Sequence, residues 1–202
     1  MIKLSNYQKR IFEETNLWQK KFGKVLDIGC GSGADAALLA SWGNKVTAVD
    51  EKKSTGWEKI TSENITFSVG NGENLKFNNN SFHLVFSKDV LHHTPDPIKM
   101  LEEAKRVCKK GGKVVFVEAN RYNPVSFLHM TQYLGHDHFS QRKFKKIVSQ
   151  VFPKAKLGTF EAHYYPFLPK RILNIFSIFE KQISKVPLLK PILSYNYFTY
   201  EK

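Results

Sequence analysis

Three glycines at alternate positions, Gly29, Gly31 and Gly33, follow the apolar run Val25-Leu26-Asp27-Ile28 and precede an alanine-rich stretch, Ala34 to Ala40. Glycine permits positive φ, and having no Cβ it lets a ligand come against the main chain. The amides that open the next helix face such a ligand with the positive end of the helix dipole. A strand, a glycine turn and a helix in that order make a nucleotide pocket in an open α/β sheet. The turn is one residue tighter than the dinucleotide fingerprint G-x-G-x-x-G, and an acid, Asp27, stands just before it. Val46-Thr47-Ala48-Val49-Asp50 supplies a second buried strand that ends in a carboxylate, placed to hold ribose hydroxyls. Two histidine sets add groups that titrate near neutral pH: His92-His93 and His136-x-His138. Alternation in an extended segment aims His136 and His138 to one side with Asp137 between them. No further Cys/His cluster completes a metal site, so substrate contact is the reading for this pair.

The elements that must position these residues follow from periodicity. Ser5 caps a first helix, spanning 1–22, whose apolar positions Tyr7, Ile11, Trp18 and Phe22 lie close to one face. After the glycine turn a small-residue helix ends near Gly43. A second strand covers Lys45 to Val49, Lys52 to Ile60 reads as a weak helix, and Ile65 to Val69 form strand three. The segment Gly70 to Asn80 is a polar loop. Strand four, Phe82 to Ser87, is the central neighbour of strand one. Asp96-Pro97 open a helix with the stripe Ile98, Leu101, Ala104, Val107 and Cys108, ended by Gly111. Lys113 to Val117 are strand five. Arg121 to Phe139 is irregular and leaves the carboxyl end of that strand, where open sheets place their ligands. Ser140 caps a helix through Phe144, Ile147, Val148 and Val151, stopped by Pro153. Lys154 to His163 and Leu193 to Tyr200 are the last two strands.

With Gly70-Asn71-Gly72-Glu73-Asn74-Leu75, Ser81 to Ser87, Leu91-His92-His93 and Gly111 to Val115, the glycine turn resembles the class I S-adenosylmethionine (SAM) dependent methyltransferases, in their small single-domain form. The resemblance covers about the first three-fifths of the chain. It implies an α/β, Rossmann-like fold: a seven-stranded, mostly parallel sheet with helices on both faces and an antiparallel last strand. It implies one domain over 1–202, divided into the N-terminal helix, a SAM-binding core at 23–119, a lid or substrate loop at 120–139, and a substrate-side half at 140–202. SAM would be the cofactor and S-adenosylhomocysteine the product. Gly29, Cys30, Gly31 and Gly33 would line its methionine and ribose portion, with Asp27 reaching the methionyl amino group. Asp50 and Glu51 would bind the ribose, and Asn71, Gly72 and Glu73 would meet adenine. Ser87 would lie beside the sulfonium. His92 and His93 would face the acceptor as proton acceptors, and His136 and His138 would touch it. Relatives commonly carry aspartate where this chain has Asn71 and His83. The Asn71 carbonyl still accepts a hydrogen bond but carries no charge, and His83 reads as structural.

Composition bounds the rest. A chain of 202 residues suits one α/β domain with a full core. Its 2 cysteines make no disulfide framework, which points to a reducing, cytoplasmic setting. The first ten residues carry charge without an apolar centre, unlike a signal peptide. A formal charge of +13 favours an acidic partner, although lysine spread for solubility explains it equally. Between about 168 and 185, Ile172, Ile175, Phe176, Phe179 and Ile183 follow helical spacing with Lys170, Arg171, Lys181 and Lys185 around them. Such a basic-apolar helix, about 168–190 with its flank, suits peripheral association with an anionic membrane, a lid, or a subunit contact. The resemblance implies methyl transfer, and the irregular 121–139 connection with the aromatic, basic-apolar tail points to a small-molecule acceptor, at a hydroxyl, with a lipid or glycan carrier as one form of it. Methylation of RNA or nucleoprotein is less favoured, because strand four ends in Ser87-Lys88-Asp89 and no RNA-binding module is appended. A non-catalytic SAM-fold scaffold is the third reading.

Overall fold

In the computed structural model, which describes residues 6–124, 127, 135, 138–161, 175, 178–179 and 181–202, the chain runs from helix into alternating strands and helices. The elements are α1 (Asn6–Glu14), β1 (Lys24–Ile28), α2 (Ala34–Ser41), β2 (Lys45–Asp50), β3 (Ile65–Val69), β4 (Phe82–Lys88), α3 (Pro97–Val107), β5 (Cys108–Ala119), α4 (Gln141–Val151), β6 (Lys156–Phe160) and β7 (Tyr195–Glu201). The strands form one sheet in the order β3-β2-β1-β4-β5-β7-β6. Pairing from β3 to β5 is parallel, and β7 runs antiparallel to both of its neighbours. Strand order reverses between β1 and β4, the point where open sheets leave a crevice at the carboxyl ends.

Two cores sandwich the sheet because strand side chains alternate in direction. Leu84 and Phe86 of β4 face α1 and α2, where Phe86 stacks on Phe12 at 5.2 Å between ring centroids. Val85 faces α3 and α4. On that side Phe198 of β7 lies between Phe116, at 5.4 Å, and Phe152, at 5.1 Å. Helix starts follow their capping signals. The Asp96 carboxylate accepts from the amides of Ile98 and Lys99 with Pro97 at the first helical position, and Ser140 Oγ accepts from the Lys143 amide.

Several boundaries depart from the periodic reading. α1 ends at Glu14, short of Trp18 and Phe22, because Asn16 (φ 58°) and Gln19 (φ 52°) turn the chain left-handed. Trp18 and Phe22 still pack on the core, from the connection and not from the helix. Between Lys52 and Ile60 only a single 3₁₀ turn forms, Trp57–Lys59. Cys108 opens β5 instead of closing the preceding helix, and Gly111 (φ 74°) bends the strand where it was expected to stop a helix. A Cβ on the adjacent Gly112 would lie 2.9 Å from Cys108 Sγ and from the His83 carbonyl oxygen, so this bend needs glycine. Ser5 and His136 lie outside the described residues, as does most of 168–185, of which Ile175, Ile178, Phe179 and residues 181–183 are helical.

Candidate cofactor site

The carboxyl ends of β1, β2 and β4 enclose a cavity of about 490 Å³, within the range of small-molecule pockets. Its wall is the glycine turn. Each glycine there has positive φ, but the three do different work. A Cβ on Gly29 would come within 2.1 Å of Val90 Cγ2, and one on Gly33 within 2.7 Å of the Phe67 ring. Those two glycines let the turn pack against its own protein, and Gly33 starts α2 without lining the cavity. A Cβ on Gly31 would meet no atom within 4 Å, and Gly31 lines the cavity. Its bare face is where a ligand can approach.

Asp50 holds this turn in place. Its Oδ2 accepts from the Gly31 amide at 2.8 Å, while Trp57 Nε1 donates to the Gly31 carbonyl at 2.8 Å. The amides of Gly29 and Cys30 both donate to the Val49 carbonyl, tying β1 to β2 at the rim. Carboxylate lone pairs beyond these contacts remain for hydroxyl donors, and Glu51 follows at the exposed edge of the cavity. Cys30 lines the wall as a thiol, because burial raises its pKa.

Asp27 is the residue most in need of a ligand. It is buried, its Oδ2 has no hydrogen-bond partner among the described residues, and it lines the cavity. Burial pushes its pKa well above the usual carboxylate range, and the charge of Asp35 adds to that effect. Lys88 opposes it. The Lys88 ammonium lies 2.6 Å from Asp35 Oδ2, and Gln8 Nε2 of α1 donates to Asp35 Oδ1 at 2.9 Å. A buried carboxylate of this kind is stabilised in its charged form by a cation nearby.

Other expected contacts are rearranged. Ser87 is fully buried and does not line the cavity. It shares the face of Val85, so strand alternation hands the cavity position to Lys88. Asn71 lines the cavity, but its Oδ1 already accepts from the Glu73 amide at 2.7 Å in a local turn. One carbonyl lone pair is left for adenine, beside Gly72. Glu73 stands outside the cavity. Its carboxylate accepts from the Thr94 hydroxyl and from the Asp96 amide, which pins the loop before α3 and lowers its pKa. His83 accepts from the Lys24 amide through Nδ1 at 3.1 Å, a structural role.

The histidines part company. His93 lines the cavity, whereas the His92 ring is buried with Nδ1 2.6 Å from Glu118 Oε2. Glu118, at the end of β5, also accepts from the amides of Val90 and Leu91 at 2.9 and 2.7 Å. His92 touches both His93 and His138, at centroid distances of 3.9 and 4.2 Å. His138 is buried in that stack, away from the cavity wall. Sequence reasoning passed over Glu118, Lys88, Asp35 and Asp89. Asp89 lines the cavity in a left-handed conformation (φ 55°), accepts from the Ala119 amide, and has its pKa raised to about 6 by burial and by Glu118. For Lys88, Asp89 and Glu118 the one available signal was position, at the carboxyl ends of apolar strands, and for Asp35 its place in the first turn of α2.

Comparison with known proteins bears on the part of the chain that builds this cavity. Residues 26–116 match the sequence model of a family described as methyltransferase domain. Over these residues, less than half of its length, the chain is similar to a methyltransferase domain. The chain is 32% identical over 102 residues to the ubiquinone biosynthesis O-methyltransferase of Coxiella burnetii, covering 48% of this chain and 44% of that protein. It is 36% identical over 127 residues to the demethylmenaquinone methyltransferase of Staphylococcus epidermidis, covering 54% and 52%. The chain thus spans about half the length of the curated relatives it matches. Among solved structures, phosphoethanolamine N-methyltransferase 2 of Haemonchus contortus, determined with S-adenosyl-L-methionine, superposes with a TM-score of 0.71. It is 21% identical and covers 98% of this chain and 52% of its own. A SAM-dependent methyltransferase from Aquifex aeolicus gives a TM-score of 0.66 at 17% identity, covering 95% and 87%.

The residues around the cavity fit SAM as a cofactor. SAM carries an ammonium on its amino-acid end, a ribose and an adenine. Asp27, the open face of Gly31, and Asp50 line one cavity at the ends of β1 and β2.

Proposed function

We propose that this chain transfers the methyl group of SAM to a hydroxyl of a lipid-soluble small molecule of the phenol or quinol class. The observation that carries the cofactor half is the open face of Gly31 on the cavity wall, held there by the Asp50 carboxylate. The acceptor half is supported by the names of the relatives, two of which methylate at oxygen: the ubiquinone enzyme and the tocopherol enzyme of Arabidopsis thaliana.

SAM supplies a methyl group already activated on a positively charged sulfur. The protein's part is to bind, orient and exclude water, which contributes about 7–11 kcal/mol to such a bimolecular step. Asp27 receives the methionyl ammonium and Asp50 the ribose hydroxyls, while Asn71 and Gly72 border adenine. His93 and Asp89, both on the cavity wall at the end of β4, are the groups able to take the acceptor's hydroxyl proton as the oxygen–carbon bond forms and the carbon–sulfur bond breaks. His92 does not reach the cavity and acts through its neighbours. We place this activity in the cytoplasm, in a single unit over 1–202.

Calorimetry with SAM and S-adenosylhomocysteine on the wild type and on Asp50→Ala tests the cofactor half. Saturable binding that weakens in a folded variant supports it, and absence of binding by folded wild type overturns it. Radiolabelled methyl transfer to lipid-soluble phenols, glycan-linked lipids and RNA then tests the acceptor. Incorporation confined to RNA would reject the hydroxyl reading.

A further inference from the structure

Nine large apolar side chains are exposed among the described residues, and six of them fall between Ile175 and Leu189. Ile175, Ile178 and Phe179 are 68%, 63% and 61% exposed at helical spacing, and Leu188 is 89% exposed with Val186 and Leu189 beside it in sequence. Single exposed apolar residues are normal on a protein surface. A run concentrated in fifteen positions marks an interaction surface.

The second part of this run is firmly mounted. Pro187–Ile192 form a 3₁₀ turn whose carbonyls are held from beneath. Asn120 Nδ2 donates to the carbonyls of Pro191 and Leu193 at 2.8 Å each, Asn123 Nδ2 donates to Ile192 at 3.1 Å, and Thr159 Oγ1 donates to Lys190 at 3.0 Å. Asn120 immediately follows β5, and Thr159 is near the end of β6. Leu188 and Leu189 therefore project from the carboxyl edge of the sheet, the same edge at which the cavity is built.

Charge selects the partner. Lys181, Lys185 and Lys190 are exposed within the same segment, and no Asp or Glu occurs from 181 through 200. The whole chain carries +13. A second copy of this chain would bring one lysine cluster against another, which like-charge repulsion opposes. A bilayer bearing anionic headgroups offers acyl chains to the leucines and counter-charge to the lysines together.

We infer that the surface formed by Ile175, Ile178, Phe179 and the Val186–Leu189 turn docks the protein on an anionic membrane interface. Docking there sets the carboxyl edge of the sheet toward the lipid, so that an acceptor dissolved in the bilayer reaches the cavity without crossing bulk water. The inference is independent of the acceptor: vesicle binding is read without turnover, so its failure and the failure of the methyl-transfer reading are separate results.

The test is co-sedimentation of the full chain with phosphatidylcholine vesicles, with and without phosphatidylglycerol as a third of the lipid, alongside Leu188→Ser/Leu189→Ser. Both leucines are exposed, so the variant keeps its thermal midpoint, measured as a control. The wild type is expected to sediment with the anionic vesicles, and the double variant to lose about tenfold or more in partition. Replacing Lys181, Lys185 and Lys190 by Gln removes roughly fivefold per lysine, and added salt weakens wild-type binding in parallel. No sedimentation with anionic vesicles, or equal sedimentation of the double variant, would overturn the inference. So would a concentration-dependent dimer that Leu188→Ser/Leu189→Ser dissolves, since the surface would then belong to a second copy.

Discussion

Glu118 holds His92 through a 2.6 Å contact between Oε2 and Nδ1, and both side chains are buried beneath the loop that follows β4. The same carboxylate accepts from the amides of Val90 and Leu91. One side chain from the end of β5 thus ties down three groups of the loop that delivers His93 to the cavity.

Removing that tie is costly. Glu118→Ala leaves three buried donors without their acceptor and is expected to destabilise the fold by about 3–5 kcal/mol in urea denaturation. Glu118→Gln keeps the shape, and its carbonyl oxygen still receives the two amides. Its NH₂ group, however, faces His92 Nδ1 and forces that nitrogen to accept. The imidazole ¹⁵N shifts of His92 will report the exchange of tautomer.

Gly29 and Gly31 separate packing from binding. Gly29→Ala drives a methyl group into Val90 at a φ of 73° and is expected to cost about 2–3 kcal/mol of stability, partly recovered by Val90→Ala. Gly31→Ala meets no protein atom and costs only about 1 kcal/mol, from its left-handed backbone. Calorimetry is nevertheless expected to show S-adenosylhomocysteine binding lost in Gly31→Ala, because the new methyl group occupies the approach to the turn.

Asp89 makes stability depend on pH. Its pKa, about 6 in the folded protein, stands above that of an unfolded aspartate, about 3.9, because burial and the charge of Glu118 disfavour ionisation. The native state therefore holds the proton more tightly, and stability falls as pH rises from about 4 to about 6. Asp89→Asn, at home in the same left-handed conformation, removes that cost. Thermal denaturation is expected to show a gain of about 1–2 kcal/mol at pH 7.5 and none below pH 4. Turnover of the same variant falls if Asp89 takes the acceptor's proton, a trade of activity for stability.

Phe198 joins the sheet to the end of α4 by lying between Phe116 of β5 and Phe152. Phe198→Ala is expected to cost about 3–5 kcal/mol, with Phe198→Leu losing less than half of that, measured by chemical denaturation.

Much of the strand pattern and both helix caps were legible in the sequence, because they depend on neighbours: alternating apolar residues, Asp96 before Pro97, Ser140 before an apolar stripe. The glycine turn was legible for the same reason. Face assignment at the end of β4 was not. Periodicity states that Ser87 and Lys88 point opposite ways but not which one meets the cavity, since that depends on what packs against Phe86. The role of Glu118 was hidden because its partners lie 26 to 28 positions away and meet it only through β4–β5 pairing. Asn71 looked free to bind adenine because its type suits both an adenine contact and a cap on its own turn, and only the structure shows that its oxygen makes the second.

The position of β7 sets the order in which this protein can be assembled. β5 pairs with β7 from Lys113 to Ala119, Ala119 lying opposite Tyr195, and β6 reaches the sheet only through β7. At a translation rate of about 5–20 residues per second, the edge of β5 waits several seconds for its partner strand to be made. During that interval the nascent chain exposes the unpaired backbone of β5 and the apolar ring of Phe116, a template for pairing with other chains. Cellular yield should therefore respond to the speed of synthesis between 120 and 195 more than to the stability of the finished fold.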